Sequence, residues 1–413
     1  MSLFGSNESY LGVDIANSAL KVVELQNDKG RPKLLTYGYL EQENKILTSD
    51  SKETREAIIS ALQRVREAAR TTSTNAIAAL PSYTVFTSII HLPEMSKKEL
   101  TAAVQWEAKK FVPMPLEEMI LDWKILADSD ISTQFSANPS VGISPATNMT
   151  PGQPMAGMNQ MPGMPVQQPG MPQAYPNTLS GGAGAQQPAT ITSKEKKKFL
   201  KILLTAAPKN LVTRYVEIFK EAKLNLVSLE TESFALERSL IGNDKSPIMI
   251  IDIGAVATTI SVVVDSVPLI NRSIDIGGRT ITKAIANSLN IDMERAEQFK
   301  RDFGLAQQAA DSGSGGQIPK RIEFMVASII NEIKYVLNLY QNQGNLGIEK
   351  IILAGGSAWL PNITQYLHQV LNMKVYIGDP WARVMYPVDL KPILQTIGPR
   401  LAVATGLAMR EIS

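Results

Sequence analysis

The sequence predicts an α/β fold of two lobes, each with its own mixed-sheet core, and three observations predict it. An apolar strand ending in Asp, a tight turn of small and hydroxyl residues and a second apolar strand occur twice. The first copy is Tyr10-Leu-Gly-Val-Asp14-Ile-Ala-Asn-Ser18-Ala-Leu-Lys21-Val-Val-Glu-Leu25, and the second is Ile248-Met-Ile-Ile-Asp252-Ile-Gly254-Ala-Val-Ala-Thr258-Thr259-Ile-Ser-Val-Val-Val264. Strand and helix patterns alternate after each copy. The chain has 413 residues, more than the ~100 to 200 of an ordinary domain, which predicts two lobes plus insertions.

The repeated unit points to phosphate. A small-residue turn lets backbone N–H groups converge on an anion, and hydroxyls at its edge add donors. The Asp at the strand end repels phosphate but can hold the water shell of a Mg²⁺ that bridges phosphates. Two such hairpins facing each other would clamp a polyphosphate. One copy alone reads equally as an ordinary hairpin, since Asp and small residues are common turn formers; the duplication argues for more.

The remaining elements follow in order. Leu34 to Leu40 reads as a third strand, and Lys52 to Ala69 carries a helical pattern through Ala57, Ile58, Ala61, Leu62 and Val65. Ala76 to Leu80 is a short buried strand ending at Pro81. Ser96 and Glu99 form a capping-box signature for a helix through Leu100, Val104 and Phe111 that stops at Pro113. Met119 to Leu126 and Lys198 to Ala207 alternate like strands. A helix over Tyr215 to Ala222, a strand over Asn225 to Glu230 and a helix over Thr231 to Leu240 lead to the second hairpin. Val267 to Asp275 is a strand, Gly277-Gly278-Arg-Thr280 opens a helix through Ile281, Ile285 and Leu289, and Asp292 caps a helix with Glu297 and Lys300 one turn apart. Ser312 to Gly316 predicts a flexible break. A long amphipathic helix follows, with Ile322, Val326, Ile329, Ile333, Val336 and Tyr340 on one face. Lys350 to Ala354 is a buried strand ending in Gly355-Gly356-Ser357, glycines that allow a ligand close to the backbone or simply turn the chain into a helix.

Composition excludes several functions. Cys is absent, which removes disulfides, thiol nucleophiles and Cys/His zinc sites. His91 and His368 sit in packing or surface patterns. A net charge of +2 leaves no nucleic-acid footprint. There is no signal-peptide pattern at the start, and no uninterrupted apolar run reaches the ~18 residues of a membrane span, because Asp252 breaks the longest candidate. A soluble chain is expected. Between Asp130 and Lys194 no residue is charged, and Pro, Gly, Met, Gln, Asn and Ser dominate. Such a stretch cannot offset its chain entropy, so 131–193 is expected to be a disordered loop, a tolerated insertion joining two strands of one subdomain.

Asp14 and Asp252 with their hairpins, Gly277-Gly278, the Glu297/Lys300 helix and Gly355-Gly356-Ser357 stand in the order found in the actin-like ATPase superfamily. Within it the chain resembles the PilM family of type IV pilus assembly components and the related FtsA family. Four features favour PilM: the segment from Leu92-Pro93-Glu94 to Pro115; Glu230 to Arg238; Asp275 to Lys283 with Ala296-Glu-Gln-Phe-Lys300; and the ending Val403 to Arg410. The resemblance leaves out only the tract from about Ile131 to Ser193.

This resemblance implies ATP with Mg²⁺ in a cleft between two lobes. Residues 1–240 would form the first lobe, with an FtsA-type inserted subdomain at about 79–226; residues 247–390 would form the second, and 391–413 would pack back on the first. Asn17 and Ser18 would meet phosphate from one side, and Gly254 and Thr258 from the other. Asp14 and Asp252 would order Mg²⁺ waters. Glu297 and Lys300 would lie against ribose and base, and Gly278, Gly355, Gly356 and Ser357 would line the nucleoside pocket. The inserted subdomain would bind the cytoplasmic N-terminal peptide of a PilN-like inner-membrane protein. Other pilus or type II secretion-like assembly proteins, and a second copy of the chain, are further partners left open. The chain would be cytoplasmic, held near the inner membrane through its partners.

One departure stands out. The family's first hairpin has Gly after Asp-Ile, where this chain has Ala16, whose Cβ would strain a positive φ and weaken phosphate binding. Lys21 alternates onto the Asp14 side if the register holds, and either reaches phosphate or lies exposed. No residue declares itself as the base that hydrolysis needs, so slow or absent hydrolysis is expected. Three alternatives remain: an FtsA-like filament protein, which would carry a linker and membrane helix beyond the core, where this chain stops at Met409-Arg-Glu-Ile-Ser413; a phosphotransferase on the same fold; and a scaffold that has lost nucleotide binding.

Overall fold

The first hairpin pairs Ser9–Ala16 (β1) with Ala19–Asp28 (β2) through a two-residue turn at Asn17 and Ser18, with Asp14 directly opposite Lys21. The computed structural model describes residues 8–42, 51–112, 114–126, 199–305, 317–345 and 347–412, without the side chains of 317–319. They all fall in one contact unit; the other, Ile143–Lys198, lies outside them, as do the whole charge-free tract 131–193 and the Ser312–Gly316 break.

Around that hairpin grows a five-stranded sheet. Arg31–Glu41 (β3) adds antiparallel to β2, Asn75–Leu80 (β4) adds parallel to β1, and Asn225–Thr231 (β8) adds parallel to β4, giving the order β3-β2-β1-β4-β8. The second hairpin, Ile248–Ile253 (β9) and Thr258–Val264 (β10), builds the same plan with Val267–Ile274 (β11), Lys350–Ala354 (β12) and Lys374–Ile377 (β13), in the order β11-β10-β9-β12-β13. The sequence repeat is therefore a topological repeat. Asp14 and Asp252 stand near the carboxyl ends of the two central strands, the edge of a sheet where α/β folds place ligands.

Helices cover the sheets as their apolar faces require. Lys52–Ala69 (α1) is capped by Ser51, whose hydroxyl accepts from Thr54 N at 3.2 Å, and buries Ile58, Leu62 and Val65 on the first sheet. Lys209–Glu221 (α3) packs beside it through Leu211, Tyr215, Ile218 and Phe219. On the second sheet lie Gly278–Leu289 (α5), Met293–Phe303 (α6), Gln317–Asn342 (α7) and Ile363–Leu371 (α8). A third, three-stranded sheet, from Phe86–Pro93 (β5), Met119–Ile125 (β6) and Phe199–Pro208 (β7), carries Lys97–Phe111 (α2) on one face. The capping box expected at its start is formed: Ser96 N donates to Glu99 Oε2 at 3.0 Å and Glu99 N to Ser96 Oγ at 3.4 Å.

Two helices join the sheets. Glu232–Leu240 (α4) and Lys391–Met409 (α9) share one core in which Ile77 and Ala79 of β4, Ile250 of β9, Val263 of β10 and Ala354 of β12 meet Ala235, Leu236, Ala402, Val403 and Leu407. Their crossing is close. A Cβ on Gly406 would fall on the Ala235 carbonyl, and one on Gly12 would fall on the Ala404 carbonyl, so only glycine fits at either place. α9 contains Pro399, and the Pro399 carbonyl accepts from Gly355 N at 2.9 Å.

Glu24 is wholly buried in β2. It stays buried because four donors reach it: Ser9 Oγ at 3.0 Å, Thr72 N at 2.8 Å, Thr72 Oγ1 at 2.6 Å and Ser73 N at 2.9 Å. The carboxylate pins the first hairpin to the loop before β4. Glu24→Ala leaves buried donors unpaired and is expected to cost about 3 kcal/mol in urea unfolding, read from the midpoint at constant slope; a loss below about 1 kcal/mol would show that solvent replaces the carboxylate freely.

Candidate functional site

At the carboxyl ends of β1 and β9 the two repeated turns meet α4. Ala16 pairs with Ala19 as the last residue of β1 and has no positive φ, so its Cβ strains nothing and the expected weakening of the first turn has no basis in the backbone. The register that Lys21 needed holds. Its Nζ donates to Asp14 Oδ2 at 2.8 Å, with Asp14 almost fully buried, so the ammonium is neither exposed nor free. Burial alone would push the Lys21 pKa down, but the charges of Asp14, Asp252 and Glu232 and the Asp14 hydrogen bond outweigh it and hold it above the usual value.

In the second turn Gly254 N donates to Ala257 O at 3.0 Å, while Gly254 O and Ala255 O accept from Gly278 N at 2.9 Å and Arg279 N at 2.8 Å. The start of α5 is thus fastened to the turn, and a Cβ on Gly277 would strike Ala255. The N–H groups of Ala255 and Val256 make no hydrogen bond among the described residues, so they remain as anion donors. Thr258 is fully buried, and its hydroxyl donates to Ile276 O at 2.6 Å; it braces the turn.

The glycines after β12 close in from the side. Gly355 has φ 83°, and a Cβ there would fall on the Asp252 carboxylate and the Ile253 carbonyl. One on Gly278 would lie 2.5 Å from Ser357 Oγ and 3.3 Å from Lys300 Nζ. Gly278, Lys300 and Ser357 therefore form one wall. Gly356 faces the Arg400 guanidinium instead. Lys300 is buried with its three donors used: Gly278 O at 3.1 Å, Thr282 Oγ1 at 2.9 Å and Glu297 Oε2 at 2.6 Å. Burial lowers the Lys300 pKa against the pull of Glu297. Burial works to raise Glu297, but bonds from Lys300, Thr282 and Arg301 leave it lowered. Asn17 and Ser18 occupy the tip of the first turn, where the Ser18 carbonyl accepts from Gln42 N at 3.1 Å.

One residue of this cluster carries no expectation from the sequence. Glu232, the first residue of α4, accepts from Ser82 N at 3.2 Å through Oε2. Burial first, and then the charges of Asp14 and Asp252, push its pKa up to about 8. Burial likewise raises Asp252 to about 6, with Lys21 opposing and Asp14 adding. Among the described residues, the charges that act on this cluster are those of three carboxyl groups and of the Lys21 ammonium. That imbalance suits an added cation, yet among the described residues no three acidic or His side chains converge closely enough to ligate a metal directly. A hard cation that keeps its waters fits such a donor set.

The family profile described as "Type IV pilus assembly protein PilM" matches residues 12–136 and 189–412. The chain belongs to the PilM family. A curated relative, "Cell division protein FtsA" of Enterococcus faecalis (strain ATCC 700802 / V583), is 23% identical over 396 residues, covering 90% of this chain and 79% of the relative. Among solved structures the chain is similar to "PilM-PilN type IV pilus biogenesis complex", with TM-score 0.71, 23% identity and 98% and 99% of the two chains covered. It is also similar to ethanolamine utilization protein EutJ from Carboxydothermus hydrogenoformans, with TM-score 0.50, 14% identity and 97% and 89% covered. The fold is thereby the actin-like one, and the repeated five-stranded sheets of this PilM-family chain are its two cores.

Proposed function

We propose that this PilM-family chain binds ATP with Mg²⁺ where the two turns meet and presents a nucleotide-dependent docking surface for the N-terminal peptide of a PilN-like inner-membrane protein. What supports the site is Asp14 and Asp252 at the ends of the two central strands, near enough that the charge of the first acts on the second, beside a second turn whose Ala255 and Val256 amides make no hydrogen bond among the described residues. Asn17 and Ser18, with Lys21 behind them, meet phosphate from the first turn, and Gly254 with the Ala255 and Val256 amides meets it from the second, braced by Thr258. Asp14 and Asp252 hold Mg²⁺ through water. Glu297 and Lys300 lie beside ribose and base, the Lys300 ammonium spending its donors on Gly278, Thr282 and Glu297 and so acting through that wall, and Gly278, Gly355 and Ser357 line the nucleoside pocket, with Gly356 turned to Arg400. Bound Mg²⁺ would supply charge neutralisation for the phosphates. Glu232, partly buried and with a raised pKa, orients the water that attacks the terminal phosphate, giving slow hydrolysis.

The lobes are residues 1–240 and 247–390, with 391–413 returning to the first; the insertion expected at about 79–226 narrows to the three-stranded sheet with α2, since α3 and β8 belong to the first sheet. The family match and the fold shared with the PilM–PilN complex support the partner. The inserted subdomain suits protein contact, since Trp106, Ile120, Ile125 and Phe199 are exposed on it. No described helix is long and apolar enough to cross a membrane, and a cytoplasmic place at the inner membrane would come through the partner. A synthetic peptide matching the cognate partner's N-terminus is expected to change affinity at least about fivefold between nucleotide-free and Mg²⁺·ATP-loaded protein. Equal affinity in both states would contradict the coupling, because a ligand shifts a conformation only through differential affinity.

A further inference from the structure

The three-stranded sheet leaves and rejoins the first sheet by two roots. Its returning strand, β7, runs directly into α3, which packs on the first sheet. The outgoing root is different. Between β4 and β5 the chain makes a tight turn at Ser82–Thr84, and β11 of the second sheet lies against both that turn and β5. Ser82 opens a chain of hydrogen bonds that ends on the second sheet.

Each hydroxyl in this chain has one proton, and an amide oxygen can only accept. Ser233 Oγ donates to Asn271 Oδ1 at 2.6 Å, and Ser261 Oγ donates to the same oxygen at 2.8 Å. With its proton spent there, Ser233 Oγ accepts from Ser82 Oγ, 2.8 Å away, while Ser82 Oγ accepts from Ser233 N at 3.2 Å. The sense of the chain is therefore fixed, from Ser82 through Ser233 at the start of α4 to Asn271 of β11. Ser82, Ser233 and Ser261 are buried, so water does not compete for these bonds and a broken link leaves a polar group unpaired. Asn271 stands opposite Ser261 of β10, and β10 begins at Thr258, the residue that braces the second turn.

We propose that the Ser82–Ser233–Asn271 chain is the joint that carries nucleotide state from the second turn to the three-stranded subdomain. This rests on the nucleotide-dependent docking given above. One root of the subdomain is bonded to the second sheet by this joint, and the other is fixed to the first sheet through α3. A shift of one sheet against the other on binding Mg²⁺·ATP therefore pulls on one root alone and tilts the subdomain. The tilt moves the surface that carries Trp106, Ile120, Ile125 and Phe199, and peptide affinity follows. With the joint cut, the second sheet moves and leaves the subdomain behind.

The test is the affinity of a synthetic peptide matching the cognate partner's N-terminus, with and without Mg²⁺·ATP, for wild type, Ser82→Ala, Asn271→Ala and the double variant. Ser82→Ala keeps the N–H that donates to Glu232, and neither residue lies in the phosphate turns or the nucleoside wall. Each single variant is expected to bind Mg²⁺·ATP, and the peptide without nucleotide, within about twofold of wild type, while the nucleotide-dependent change in peptide affinity falls from at least about fivefold to below about twofold. The double variant should lose no more coupling than either single one, as two cuts in one chain do. Undiminished coupling in a single variant that circular dichroism shows to be folded overturns the joint alone. Equal peptide affinity in the two states of wild type overturns the nucleotide-dependent docking, and the joint falls with it. Amide hydrogen exchange of the wild-type chain gives a second reading free of any substitution: Mg²⁺·ATP should change exchange over 82–93 together with 258–274, and a change confined to 258–274 overturns the joint.

Discussion

Gly355→Ala is expected to abolish nucleotide binding and to cost about 3 kcal/mol of stability. Two effects add at this position. The backbone holds φ 83°, where any residue with a Cβ is strained, and the new methyl falls on the Asp252 carboxylate and the Ile253 carbonyl. Relief needs β12 to move away from β9, which breaks the register that sets Ala354 beside Asp252. It also strains the bond from Gly355 N to Pro399 O in α9, the helix shared by both sheets. The damage therefore reaches the site and the joint together. Calorimetric titration with Mg²⁺·ATP and urea unfolding read the two effects. Wild-type affinity in a stably folded Gly355→Ala protein would show that this loop stands away from the ligand.

Glu232→Gln is expected to have the opposite sign on stability. Its folded pKa is raised from the ordinary carboxylate value to about 8. The folded state therefore holds a proton that the unfolded state has released, and stability falls as pH rises from the unfolded value to about 8. Glutamine carries no such charge. The variant should exceed wild type by a margin that grows across this window and levels off above it, on the order of 3 kcal/mol. Asp252 contributes the same sign with its own limit at about 6. Hydrolysis should be lost in the variant, a trade of stability for activity at a strained acidic site. Melting curves of the two proteins from pH 5 to pH 9 measure it; parallel curves would mean that Glu232 is not held in a charge-averse place.

Much of the fold was legible because its signals are local. The Asp-ended strands and their turns, the capped helix from Lys52 to Ala69 and the Ser96/Glu99 box are set by neighbours in sequence. Other elements hide for physical reasons. β5 is only partly buried and alternates over no more than Ile90, His91 and Leu92, and β13 has four residues. α9 is buried on nearly every side and contains Gly398, Pro399 and Gly406, so it lacks a periodic face and carries breakers that only its close crossings explain.

The site divides the same way. The acidic pair and the glycine turns stand out by pattern, and the closeness of Gly278, Lys300 and Ser357 follows once the helices are placed. The concern over Ala16 came from a family preference for glycine and dissolves when its strand conformation is seen. Glu232 was invisible because an acidic residue in the first turn of a helix is ordinary; what sets it apart is burial near Asp14 and Asp252, which are distant in sequence. Lys21 was half legible: the alternation put it on the Asp14 side of the hairpin, and the register then sets it directly opposite Asp14 in an ion pair that alternation alone does not reveal.

The central claim is that the paired turns hold a nucleotide through both acidic residues. The most direct measurement is binding of fluorescent ATP with Mg²⁺ to the wild-type chain and to Asp252→Ala, with circular dichroism to confirm that the variant is folded. The predicted result is saturable, Mg²⁺-dependent binding by wild type and none by the variant. Binding that survives in Asp252→Ala, or a folded wild-type chain that binds no ATP at any Mg²⁺ concentration, would contradict it and leave a scaffold on a degenerate actin-like fold.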